Sequence, residues 1–425
     1  MTRTAVLGAG ALGLTVALRL AQRGDEVIVL EREPLPGGLA AGFEIESGIW
    51  LDKFYHHLFQ SDRHAIGLIN ELGLGDDLLW RRPLTVTLRD GTPHQLDSPI
   101  SLLRFGPLPL LDRIRMGAWL AYLRTLGSAD RLEGHTAAEW IRRRMGARAY
   151  EVVWGPLLRG KFGALADEIA MPWFWARVHD RTAQLGYLRG GFQRLYDRLA
   201  ERIAQAGGEL RFGTEVREIH SDPNGGLRVE TAAGDTITAE RVVSTLAVRL
   251  TCRLTPELPG EYRSRHEWGT AYGAHCLVLA LDRPLTQSYW MNVNDPGYPF
   301  MALVEHTNYM DRADYGGRHL VYLGNYRPMD DPLLRTPTPE VVAQFAPHLA
   351  RINPAFRPEW VTDAWSFGAP FAQPIVTADY RDHIPPFETP VPGLWVASMF
   401  QVYPHDRGQN YSIELAERLV ARLAP

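Results

Sequence analysis

The chain is expected to fold as an α/β protein in which a sheet domain founded on a βαβ unit alternates along the sequence with an α+β domain. Three observations predict this. The first 31 residues read strand, glycine turn, apolar helix, strand. Strand-like runs return near 207–219, 239–245 and 392–399. The stretches between them have a different patterning, one helical and one of strands parted by proline-rich turns.

The opening unit runs Thr4-Ala-Val-Leu, then Gly8-Ala9-Gly10-Ala11-Leu12-Gly13, then the apolar helix Leu14–Ala21, then Glu26-Val-Ile-Val-Leu-Glu31. Each part has a physical task in holding a dinucleotide. Gly8 permits the tight turn off the first strand, and Gly10 lets backbone approach a pyrophosphate. Gly13 lets the helix sit close to the sheet with its first N–H groups aimed at phosphate. Glu31 falls at the end of the second strand, where a carboxylate accepts from ribose hydroxyls. A glycine turn alone is weak evidence, but here strand, helix and acid stand at fitting distances. The Rossmann-like reading is therefore preferred to a merely structural βαβ turn.

A nicotinamide site has no need of the residues just past Glu31, namely Arg32 and then Pro36-Gly37-Gly38-Leu39-Ala40. The stretch from Val6 to Gly42 resembles the flavoprotein family of amine oxidases, phytoene desaturases and protoporphyrinogen oxidases. The resemblance implies a Rossmann-like FAD-binding domain of the glutathione-reductase type, with the second glycine pair approaching the cofactor. Tyr187-Leu-Arg189-Gly190-Gly191-Phe192 is similar to that family's glycine segment before a helix. Gly207–Ile219 looks like the strand whose Val216 backbone meets the adenine edge, and Ala239–Thr245 like the strand that brings Ser244 to the flavin.

The C-terminal match departs from the common pattern. Pro392-Gly-Leu-Trp-Val-Ala-Ser398-Met399 has Ser-Met where many relatives have Gly-Asp or Gly-Ala. The segment Tyr403-Pro-His-Asp406-Arg407-Gly-Gln-Asn410-Tyr411 is closer to UDP-galactopyranose mutases. Met399 by backbone, Asp406 by side chain and Asn410 are the candidates for the ribityl contact. An amphipathic helix with Ile413, Leu415, Ala416, Leu419 and Val420 on one face is expected to come next.

At 425 residues the chain is too long for one ordinary core. The expected division is an FAD-binding domain of 1–75, 187–248 and 370–425, and a substrate domain of 76–186 and 249–369. The first insert reads as helical, with Thr136-Ala-Ala-Glu139 as a capping box. The second has strand-like runs at Ala274–Leu281 and His319–Gly324. A net charge of −4 argues against a nucleic-acid partner. Two cysteines, Cys252 and Cys276, are too few for a disulfide scaffold or metal cage, so no metal is expected. Neither lies in the C-terminal region where some amine oxidases attach flavin, so the FAD is expected to be non-covalent. No signal peptide precedes the first strand and no run of 18 apolar residues exists, which reads as cytoplasmic. One stretch, Ile100–Leu111 with Met116–Leu123, is apolar with scattered arginines. A helix pair packed on the core is preferred there to peripheral contact with a membrane.

Flavin carries redox chemistry itself, so no catalytic triad is required. Asp52-Lys-Phe-Tyr-His56-His57-Leu-Phe resembles the family segment along the flavin ring, with a polar loop as the competing reading. Lys161, one of two lysines, is the second catalytic candidate, against a solvent-exposed side chain. Arg159, Arg177 and Arg189 are candidates for binding an anionic part of a small-molecule substrate, with Tyr298, Tyr309, Tyr322 and Tyr326 as aromatic walls. The function expected is an FAD-dependent oxidoreductase acting on a C–N or C–C bond of a small or isoprenoid-like substrate. The alternatives are a redox-neutral sugar mutase, favoured by the histidine loop and terminal Tyr–Asp segment, and a flavin-bound scaffold without turnover.

Overall fold

The computed structural model describes residues 1–267 and 269–423. Strand β1 (Arg3–Leu7), helix α1 (Ala11–Gln22) and strand β2 (Glu26–Leu30) form the opening unit. Both strands are almost wholly buried, as an all-parallel sheet covered on two faces requires. The sheet has five parallel strands in the order Glu209–Arg211, β2, β1, Arg241–Ser244, Leu394–Val396. The chain therefore enters it four times, at 3–30, 209–211, 241–244 and 394–396. Helix α1 packs against the last helix, Gln409–Arg422, and against Gln193–Gln205. In the last helix Ile413, Leu415, Ala416, Leu419 and Val420 are all buried, the face the apolar spacing predicts.

A second, seven-stranded sheet is mixed. Its order is Val361–Pro374, Ala271–Leu281, His319–Pro328, Ala302–Glu305, Trp290–Val293, Thr85–Arg89, Thr92–Gln95. All neighbours are antiparallel except Trp290–Val293 beside Thr85–Arg89. Leu277, Leu323 and Phe345 lie in the core between this sheet and the helix Thr338–Ile352. The helical layer includes α2 (Arg63–Glu71), packed on the last helix, and α3 (Pro99–Leu103), α4 (Leu110–Thr125) and α5 (Ala137–Arg144). Thr136 Oγ1 accepts from Glu139 N at 3.2 Å, so half of the expected capping box is present at the start of α5.

Two expectations are corrected. The first insert opens with strands, Leu78–Arg81, Thr85–Arg89 and Thr92–Gln95, and becomes helical only from Pro99. Those strands are short; Leu78–Arg81 pairs with Leu185–Leu188 and Thr85–Arg89 with Trp290–Val293, distant partners that local periodicity does not register. The run Gly207–Ile219 is two strands, because Gly213 adopts φ +65° and turns the chain out of the parallel sheet. Val216 then starts a separate three-stranded antiparallel sheet. Among the described residues no helix is long and apolar enough to cross a bilayer.

Candidate active site

The end of β1 turns at Gly8, whose φ of +100° suits glycine and whose N–H donates to Leu30 O at 2.8 Å. A side chain on Gly13 would meet Gly8 O at 2.0 Å, so the helix lies against the turn only because Gly13 has none. Gly10 is different: a Cβ there meets nothing within 4 Å. The space beside it is free, which is what a pyrophosphate approaching backbone requires. Gly10 also begins α1 without a side-chain cap, leaving the first-turn N–H groups of Ala11, Leu12 and Gly13 for an anion. The second glycine pair folds back onto this turn. Gly37 N donates to Ala9 O at 2.8 Å, Gly37 and Gly38 have φ of +119° and +57°, and Leu39 and Ala40 complete a short 3-10 turn. Glu31 accepts from Ala9 N at 2.7 Å and from Glu33 N at 2.9 Å, so its carboxylate also ties the loop. Arg32 is exposed and paired with Glu33 at 3.2 Å. Thr214 N donates to Glu31 O at 2.8 Å, which brings the Val216 segment to the same end of the sheet.

The opposite end is built from side chains. Asp406 Oδ2 lies 2.5 Å from Lys161 Nζ and 3.0 Å from Arg177 Nη1, while Trp173 Nε1 donates to Asp406 Oδ1 at 3.2 Å. Burial opposes the charge on Asp406, but the neighbouring Lys161 and Arg177 cations outweigh it and hold the carboxyl well below its usual range. Lys161 is buried, and that burial, aided by Arg177 and Arg407, lowers its ammonium to about 7 despite the attraction of Asp406. Arg407 donates to Gln373 Oε1 at 3.0 Å and to the Tyr326 hydroxyl at 2.9 Å. Arg181, exposed to solvent, lies near Arg177 and Asp406, and the charge of Arg177 lowers its guanidinium.

Across from this cluster is the loop that begins at Asp52. His56 and His57 each keep a buried Nδ1 without a hydrogen-bond partner among the described residues. Desolvation, then the Arg407 charge, lowers His56 to about 4; desolvation, then Arg181, lowers His57 to about 3. Both imidazoles are therefore neutral at physiological pH. Trp290 forms a wall, 5.8 Å edge-on from His57 and 4.9 Å from Tyr55. Asp52 itself is buried, accepts from Phe192 N at 3.1 Å, and is pushed by burial up to about 7.

The structure thus brings together Lys161, Arg177 and Asp406, and sets them facing His56 and His57. It does not bring the other arginines there. Arg159 is exposed on the helix Gly155–Phe162, and Arg189 is on the surface 3.8 Å from Asp314, so neither meets the cluster. Ser244 is fully buried and its hydroxyl is bonded to Thr251 Oγ1 at 2.7 Å. The next residue, Thr245, is the one that faces Gly8, because successive strand residues point to opposite faces. Asn410 Oδ1 accepts from His64 N and Ala65 N at 2.9 and 3.2 Å, so it caps α2 and leaves its Nδ2 as the atom open to a further contact. Met399 is half-buried in a 3-10 turn held by the Ser398–Gln401 capping box. Sequence reading missed Arg181, Arg407, Asp52 and Thr245. Arg407 and Asp52 adjoin motifs already singled out, and adjacency was the available signal.

A dinucleotide fits this arrangement: a free approach at Gly10, an uncapped helix start, and, at the far end, unpartnered imidazole nitrogens facing ionised groups. The comparisons agree with that geometry. The chain is 23% identical to a 15-cis-phytoene desaturase of Narcissus pseudonarcissus over 276 residues, 59% of this chain and 48% of that protein. It spans about half the length of the curated relatives it matches. The fold is shared with reduced UDP-galactopyranose mutase (TM-score 0.78, 15% identity, 100% of this chain and 96% of that one). It is shared too with putrescine oxidase bound to putrescine (TM-score 0.73, 17% identity, 99% and 98%). The model of the family described as flavin containing amine oxidoreductase matches residues 13–405, so the chain belongs to that family and its cofactor is FAD.

Proposed function

We propose that this chain is an FAD-dependent oxidoreductase that moves hydrogen at a C–N or C–C bond of a small or isoprenoid-like substrate. The observation that carries this is the Lys161–Asp406–Arg177 cluster facing the two neutral imidazoles of His56 and His57. FAD, when bound, supplies the two-electron chemistry. The turn Gly8–Gly13, Glu31, Gly37 and Gly38 would hold its nucleotide half, with Val216 and Met399 as further contacts. The cofactor domain in this reading is 1–75, 187–248 and 370–425, and the substrate domain 76–186 and 249–369.

The chain's own groups then divide the work. Asp406 stays ionised and fixes Lys161 Nζ in place. Lys161, lowered to about 7, can hold or release a proton at Nζ near neutral pH. His56 and His57 offer Nδ1 to a donor or acceptor on the reacting molecule, and the Trp290 and Tyr55 walls keep water out. The competing redox-neutral reading, action on a nucleotide sugar as in a mutase, is favoured by one observation. Lys161, Arg177, Arg181 and Arg407 together give the site more positive charge than Asp406 neutralises, and guanidiniums bind phosphate well.

Anaerobic titration of the flavin-loaded protein with amines, isoprenoids and nucleotide sugars tests the proposal. Bleaching of the flavin band near about 450 nm by an amine or isoprenoid is the expected result. Turnover of a nucleotide sugar without bleaching would replace the proposal with the mutase reading. His56→Ala and His57→Ala should keep FAD bound and slow reduction by about 10²–10⁴-fold. Wild-type rates in both would remove the imidazoles from the site.

A further inference from the structure

Helix α4 is inverted relative to an ordinary surface helix. Met116 and Leu123 are its buried residues, while Leu111, Ile114, Ala118 and Tyr122 recur at helical spacing on the other side and are all exposed. Leu111 is 80% accessible and Ile114 52%. The short helix α3 packs on α4 and adds Ile100, 63% accessible, and Leu103, 49%. Arg113 fixes the pair by donating to Leu103 O at 2.7 Å and Leu108 O at 2.5 Å. The result is a rigid apolar stripe, about 24 Å long over the 16 residues of α4, with nothing against it among the described residues.

The charge around the stripe is equally uneven. Residues 99–149 hold nine arginines against four carboxylates, in a chain whose net charge is −4. At the Tyr122 end of α4 a cleft of about 330 Å³ opens between α4 and α5. Arg131, Arg143 and Arg144 line it, and none of their guanidiniums has an acceptor among the described residues. One carboxylate, Glu139, is present beside these three cations. Trp119 and Trp140, 5.4 Å apart edge to face, form the wall, and Arg144 stacks over Trp119.

An apolar stripe edged by unpaired guanidiniums, with indoles at the boundary, is the chemistry of an interface between hydrocarbon and anionic headgroups. We propose that the α3–α4 face seats on a bilayer containing anionic phospholipid, with Leu111 and Ile114 entering the acyl boundary and the α4–α5 cleft taking a headgroup phosphate. The charge complementarity chooses lipid over a second copy of this chain, since two copies would bring the arginines together.

Co-sedimentation of the flavin-loaded protein with vesicles tests this without reference to catalysis. Binding is expected to phosphatidylcholine vesicles containing phosphatidylglycerol, to weaken with salt, and to be much lower on phosphatidylcholine alone. Leu111→Glu with Ile114→Glu should reduce it by about tenfold or more, and Arg143→Gln with Arg144→Gln should remove the preference for the anionic lipid. Each pair is to be measured beside its melting curve and flavin spectrum, both expected unchanged because the side chains are exposed. Wild-type protein that ignores anionic vesicles, or a glutamate pair that binds like wild type, would overturn the proposal. So would a lipid-free dimer that the glutamate pair converts to monomer, for then a second copy covers this face.

Discussion

Around Gly8–Gly13 the contacts are made by main chain, and side chains are missing where a Cβ would collide with backbone or stand in the space left beside Gly10. Around Asp406 the reverse holds: ionised and aromatic side chains supply the contacts, drawn from positions as far apart as 161 and 406. A nucleotide's phosphates are the same in every enzyme, so backbone N–H groups and a helix start suffice to hold them. The reacting end must be particular to one chemistry, and that requires charges whose burial is costly unless they are paired.

The comparison breaks most sharply at Gly10. Gly10→Val fills a space that the fold itself leaves open, so the protein should fold normally and emerge without FAD. A normal melt together with absent flavin absorbance is the expected pair of readings, and full flavin occupancy would show the space serves nothing. The side-chain end should respond in the opposite way. Asp406→Asn leaves Lys161 buried and Arg177 part-buried without their counter-charge, at a cost of about 3–5 kcal/mol in stability. Adding Lys161→Met should recover part of that loss, and a double-mutant cycle of chemical denaturation measures the coupling.

Asp52 sharpens the contrast through pH. Burial raises its carboxyl from 3.8 to about 7 in the folded protein, so between those values the native state binds more protons than the unfolded chain. Its contribution to stability is therefore complete below about pH 4 and is lost as pH rises through 7, by at most about 4 kcal/mol. Asp52→Asn should remove that slope, read as the difference between wild-type and variant denaturation across about pH 4–8. The smallest effect is expected at Glu31. Glu31→Gln keeps one acceptor but turns an amide toward the Ala9 or Glu33 N–H, weakening FAD binding by about 1–3 kcal/mol. An unchanged dissociation constant would mean that the strand end does not contact the cofactor.

The same contrast explains how much was legible in the sequence. The cradle is local: glycines, helix and acid lie within 31 residues, and their order alone specifies the geometry. The Lys161–Asp406 pairing spans 245 residues, and no periodicity connects them. The arginines show the limit well. Arg159, Arg177, Arg181 and Arg189 stand in one short stretch, and only the path of the fold separates those that face the cluster from those on the surface. Ser244 and Thr245, at the end of their strand, are adjacent in sequence, yet Ser244 is buried on Thr251 while Thr245 lies beside Gly8. The Gly213 turn, held by Glu33 O, and the strands Leu78–Arg81 and Thr85–Arg89 depend likewise on partners distant in sequence.

The strand Leu394–Val396 completes the parallel sheet beside Arg241–Ser244, and the last helix covers α1 and caps α2 through Asn410. Helix α1 thus takes its cover from a helix far along the sequence. A nascent chain halted just short of Leu394 would have the whole glycine turn but an open sheet edge and an uncovered α1, both sticky in water. The nucleotide turn therefore depends on segments far apart in the sequence, and loss of the last helix would uncover α1 as surely as a mutation within the turn would disturb it.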